Sequence, residues 1–105
     1  MAKTLYNKLV RDRIPEIMRA NGETPQLEIL DDQRYLEELT KKLGEEVLEY
    51  QIGGEVEELA DVLAVLYAIC EARGISRDEL EQMRMRKEQK NGGFSRKLFL
   101  VSKES

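Results

Sequence analysis

The chain has no histidine, no tryptophan, one cysteine and two prolines in 105 residues. Each shortage removes a class of chemistry. Without histidine there is no Ser-His-Asp triad, no His-ligated zinc and no imidazole acid–base catalysis. One cysteine, Cys70, permits no internal disulfide framework. It sits in the apolar run "LAVLYAICEARG", where it reads as a small core residue. No apolar stretch approaches the ~20 residues that a membrane span requires. The opening "MAKTLYNKLV" lacks the apolar centre and cleavage site of a secretory signal, so a cytoplasmic location is expected. If this is an enzyme, its tools are carboxylates, amines, guanidinium groups, hydroxyls and a metal ion.

Charge is what the sequence has in abundance. Charged residues make up 36% of the chain, with a net charge of −4. That balance argues against a nucleic-acid polymer as partner. The order of charge matters more than its sum. Residues 1–20 carry five basic and two acidic side chains, residues 31–61 eleven acidic and three basic, and residues 84–97 six basic and one acidic. A fold that gathers these segments would set a cation site beside groups suited to a polyanion.

The length suits one domain over residues 1–105, and a chain this short gains from pairing with a second copy. The punctuation predicts a mainly α domain of four to five helices. A first short helix lies in "RDRIPEIMRANG", with Pro15 in its first turn and Gly22 as terminator. Asp31 or Asp32 caps a second helix running to about Tyr50, which "IGG" breaks. A third runs from about Gly54 to Arg73 and stops at Gly74. Ser76 and Glu79 form a capping box for a fourth, ending near Asn91-Gly92-Gly93. Short extended pieces are expected near 26–30 and 97–101.

A helix advances about 100° per residue, so faces can be assigned. With Leu39 at zero, Leu36, Leu43, Val47 and Tyr50 fall within about 80° and form the predicted buried stripe. Glu46 lies on its edge, and Glu49 one turn on along the same side. On the third helix Leu59 centres an apolar arc with Val56, Val62, Leu63, Leu66, Ile69 and Cys70. Glu58 falls inside that arc, between Val65 and Ile69, and Asp61 just outside it. The short link makes the two helices an antiparallel hairpin, which brings Glu46, Glu49, Glu58 and Asp61 level with one another. Four like charges at a half-buried site require protonation, basic partners or a divalent cation. An oxygen-only donor set suits Mg²⁺, or Mn²⁺, rather than zinc. Either acidic pair alone is also what a solvated, salt-bridged face contains.

The motif "EEVLE" (45–49) followed by "ELAD" (58–61) resembles the EExxE…ExxD signature of the MazG-type all-α nucleoside triphosphate pyrophosphohydrolases. "YNKLVRDRIPEI" (6–17) resembles the opening of a single-domain, phosphoribosyl-ATP pyrophosphohydrolase-like subgroup, and "KNGGF" (90–94) resembles that subgroup's basic, glycine-rich end. The resemblance spans about residues 5 to 100. It implies a MazG-like helical bundle working as a homodimer or homotetramer. It implies Mg²⁺-dependent cleavage of a nucleoside triphosphate to monophosphate and pyrophosphate, in the service of removing non-standard nucleotides. It assigns metal ligation to Glu46, Glu49, Glu58 and Asp61. The residue types then suggest Glu45 or Glu46 as acceptor of a water proton. Lys8, Arg11, Arg13, Lys87, Lys90 and Arg96 are candidates to hold phosphate charge. Phe94, Tyr6 and Tyr67 are candidates to stack on a base, and "NGGF" is either a phosphate-approaching loop or a helix stop. Only eight residues separate Glu49 from Glu58, fewer than in many relatives of that type. Phosphoribosyl-ATP hydrolysis, or a non-catalytic helical dimerisation or binding module, are the alternatives.

Overall fold

A computed structural model describes residues 2–105. Four helices are present, α1 (Ile14–Ala20), α2 (Asp32–Gly53), α3 (Val56–Ala72) and α4 (Arg77–Asn91), and no strand occurs among the described residues. The architecture is all-α, as the sequence predicts. Residues 26–30 and 97–101 lie outside the helices but pair with nothing as strands.

The helix ends follow from their capping residues. Asp31 accepts the Arg34 backbone N–H at 2.8 Å and starts α2. The Ser76 hydroxyl accepts the Glu79 N–H at 3.1 Å and starts α4. Pro15 stands in the first turn of α1, where its missing N–H costs nothing. Each of α1 and α3 ends with a glycine of positive φ, Gly22 or Gly74. The following amide then returns to the helix: Glu23 N–H to the Met18 carbonyl, and Ile75 N–H to the Cys70 carbonyl. Gly92 closes α4 at φ +85°, so the helix-stop reading of "NGGF" is realised.

The second helix is longer than its "IGG" suggests. It runs on through Ile52 and Gly53, and only Gly54, at φ +70°, leaves the helical region. The Gly54 N–H donates to the Tyr50 carbonyl at 2.8 Å, and α3 begins at Val56 after a link of two residues, Gly54 and Glu55. A link so short folds α3 back along α2, and this hairpin is the packed centre of the chain. α4 packs on α3 only, and α1 packs on no other helix.

Burial departs from the predicted wheels in an informative way. Leu39 (3% exposed) and Val65 (6%) are the buried apolar side chains, and they belong to opposite arms of the hairpin. Val47 and Tyr50, predicted in the α2 stripe, are each 38% exposed. On α3 the arc centre predicted at Leu59 faces outward, with Leu59 and Leu63 each 45% exposed. The edge that turns inward carries Val62, Val65, Ile69 and Glu58. The reason is geometric: one neighbouring helix covers one narrow stripe, and the α3 arc is too wide for α2 alone. The chain is correspondingly open. Its accessible surface is 9915 Å², against roughly 6,100 Å² for a compact monomer of this mass. Its radius of gyration is 18.6 Å, against about 13 Å for a compact domain of this length.

Candidate functional site

The inward edge of the hairpin carries charge. Glu46, on α2, is buried with 9% of its surface exposed, the most enclosed charged residue among the described residues. The wheel places it on the edge of the apolar stripe; the fold puts it inside. Lys42, one turn earlier, approaches its Oε1 at 3.5 Å. Burial pushes the Glu46 carboxyl above its ordinary value of 4.5, and Glu49 adds to this by hydrogen bonding and repulsion. Lys42 acts in the opposite sense and does not cancel the rise. A carboxyl in this setting holds a proton more readily than one in water. Glu49 itself is exposed, as is Glu45.

Glu58 occupies the third position of α3 and is half-buried. Its Oε2 is sealed from solvent and accepts no hydrogen bond. A carboxylate oxygen withdrawn from water without a donor is costly and calls for explanation. Asp61, one turn further, is half-buried and accepts from Arg11 Nη2 at 2.7 Å. That contact joins the N-terminal basic segment to the acidic hairpin across 50 positions of sequence. Arg11 is thus placed against Asp61, one of the four predicted acids.

The other predicted basic residues are placed differently. Lys8 lies over the Tyr6 ring, 5.9 Å from its centroid. Arg13 pairs with Glu16 at 3.3 Å. Lys87 and Lys90 are exposed on α4, and Arg96 is exposed beyond it. Among the described residues no ion pair ties these three to the four acids. Nor do three or more Asp, Glu or Cys side chains converge on a single point among the described residues as they stand. Arg11 pairs with Asp61 and Lys42 with Glu46, while Glu49 and Glu58 have no ion pair among the described residues. Of the aromatic candidates, Phe94 and Tyr6 are exposed. Tyr67 is half-buried beneath Arg77, whose guanidinium carbon is 4.1 Å from its ring centroid.

Two residues at this seam carry little signal in the sequence. Lys42 is legible only as a lysine four positions before Glu46. Gly53 reads as a helix breaker, yet it continues the helix and lies against the Glu58 carboxylate.

No family model matches the chain, and no solved structure matches it at a significant level. An uncharacterized protein of Mycolicibacterium smegmatis (strain ATCC 700084 / mc(2)155) is 55% identical to it over 42 residues, covering 40% of this chain and 43% of that relative. The matched region is therefore less than half the length of either protein.

Proposed function

We propose that the chain is a Mg²⁺-dependent nucleoside triphosphate pyrophosphohydrolase of the MazG-like type, with its metal ligands on the inner edge of the α2–α3 hairpin. The carrying observation is the uncompensated oxygen of Glu58, sealed from water with no donor, in the same hairpin as the buried Glu46, whose carboxyl burial pushes above its ordinary value. Carboxylates held in this way are stabilised by a divalent cation. The available donors are all oxygen, which fits Mg²⁺ or Mn²⁺. The ligands would be Glu46, Glu49, Glu58 and Asp61. Loading such a site requires Lys42 to yield Glu46 and Arg11 to release Asp61.

Bound Mg²⁺ supplies neutralisation of phosphate oxygens and acidification of water. The chain's own groups supply the rest. Glu45, in solvent beside the seam, or Glu46 accepts the proton of the water that adds to phosphorus. The α–β anhydride bond breaks as the new bond forms, and pyrophosphate leaves. Arg11, once off Asp61, is free to hold phosphate oxygens, with Lys8, Arg13, Lys87, Lys90 and Arg96 as further candidates.

The partner implied is a second copy of the chain, as a homodimer or homotetramer. What supports it is the outward arc of α3, with Leu59, Leu63 and Leu66 exposed, and the excess accessible surface. No helix among the described residues is long and apolar enough to cross a membrane. A cytoplasmic enzyme acting on free nucleotides, in removal of non-standard ones, is consistent with that.

The test is pyrophosphate release from a panel of standard and modified nucleoside triphosphates, with Mg²⁺ and with EDTA. Monophosphate and pyrophosphate appearing only with Mg²⁺ is the expected result. Release from phosphoribosyl-ATP alone would redirect the substrate within the same chemistry. Silence on the whole panel, with a melting temperature indifferent to Mg²⁺, would sink the reading in favour of a helical binding module.

A further inference from the structure

Gly53 presents a puzzle of its own. Glycine within a helix is destabilising by roughly 0.5–1 kcal/mol relative to alanine. Gly54 next to it has φ +70° and needs the freedom of glycine. Gly53 does not: it lies in α2 and is absent from the positive-φ glycines. The backbone therefore gives no reason for a missing side chain at position 53. The surroundings give one. A Cβ built there would stand 2.9 Å from Glu58 Oε1, 3.3 Å from Oε2 and 3.4 Å from Cδ. Oε1 is closer than a Cβ tolerates and Oε2 is tight against it, so a side chain at 53 presses on the carboxylate.

We infer that Gly53 is a positioning residue: its absent side chain is the seat that holds the Glu58 carboxylate turned into the hairpin. This rests on the proposed Mg²⁺ site, since the orientation so fixed is that of a ligand. The two-residue link brings the C-terminus of α2 against the first turn of α3, so residue 53 meets residue 58. Because the group that would be displaced is the far end of a flexible side chain, a methyl at 53 moves Glu58 rather than unfolding the hinge. The seat is thus separable from stability. Gly44 supplies a matched control in the same helix, with nothing within 4 Å of its would-be Cβ.

Purified full-length Gly53→Ala, Gly44→Ala, Glu58→Ala and the Gly53→Ala/Glu58→Ala pair are melted in EDTA and across a Mg²⁺ titration. In EDTA, Gly44→Ala raises the melting temperature, as helix propensity dictates. Gly53→Ala raises it clearly more in the Glu58→Ala background than in the wild type, because only the wild type has a carboxylate to displace. In the titration, the Mg²⁺ concentration for half the stabilisation rises about 10-fold in Gly53→Ala and stays put in Gly44→Ala. An equal rise with and without Glu58 overturns the contact. A Gly53→Ala titration superimposing on the wild type overturns the positioning role and leaves the metal site standing. A wild type indifferent to Mg²⁺ overturns the metal site, and the inference with it.

Discussion

The two sides of α3 differ more than the helices differ from one another. The inward edge is narrow and mixed: Val62, Val65 and Ile69 share it with Glu58. The outward face is wide and apolar, with Leu59, Leu63 and Leu66 exposed. A monomer arranged for its own stability would bury the second and dissolve the first. The hairpin does the reverse, placing ionisable groups where dehydration is greatest and leaving oily surface to water. The buried charge is what the proposed cation would offset, and the exposed apolar face is what the proposed second copy would cover.

The sharpest break in that comparison comes from the inner edge. Glu58→Gln keeps the shape and removes the charge. We expect pyrophosphate release to fall by at least ~100-fold, since a ligand should cost no less than its supports. The EDTA melting temperature should hold or rise, because the buried oxygen no longer carries charge. A variant that turns over normally would return Glu58 to ordinary structure.

Leu39→Ala tests the apolar part of the same seam. Truncating this buried leucine should cost about 2–5 kcal/mol in urea melts. Among the described residues Val65 is the one other buried apolar side chain, so the core has little with which to refill the cavity. The outer face answers differently. Leu63→Glu should shift the protein from oligomer to monomer in sedimentation, and its melting temperature should lose its dependence on protein concentration. An unaltered oligomer would detach the exposed arc from self-association.

Acidity supplies a smaller contrast. The folded state raises the Glu46 carboxyl above 4.5, so the fold favours its protonated form. The associated stability is therefore complete below 4.5 and lost as pH rises through the folded value. Metal-free wild type should lose stability relative to Glu46→Gln as pH rises above 4.5 and through the raised folded value, and stabilisation by Mg²⁺ should grow in the same direction. Parallel pH profiles for the two proteins would remove Glu46 from the account. The smallest effect belongs to the Arg11–Asp61 pair, in which Arg11 is exposed and Asp61 only half-buried. Arg11→Ala should change stability by under ~1 kcal/mol while raising KM for nucleotide and leaving Mg²⁺ binding no weaker. A KM unchanged by the substitution would confine Arg11 to holding Asp61.

How legible the molecule was depends on the range of the interaction. The four helices were readable from Pro15, Asp31, Ser76 and the terminating glycines, because capping is settled within a few residues. The candidate acids were readable from their spacing. Two features misled the reading. "IGG" reads as a break beginning at Ile52, but within it the backbone leaves the helical region only at Gly54. The α3 wheel was centred on Leu59, because a wheel weighs all apolar positions equally and knows nothing of how many neighbours will cover them.

The sequence by itself determined the helical class, the helix caps, the poverty of nucleophiles and nitrogen ligands, and the concentration of carboxylates about one short hinge. These are matters of composition and of contacts a few residues long. Only the tertiary structure decided that Glu46 goes inside, that Arg11 reaches Asp61 from 50 positions away, that Glu58 rests on Gly53, and which side of α3 is left open. Each of those depends on the angle at which α3 folds back on α2. That angle is set by side-chain packing across the hairpin, which no local pattern encodes.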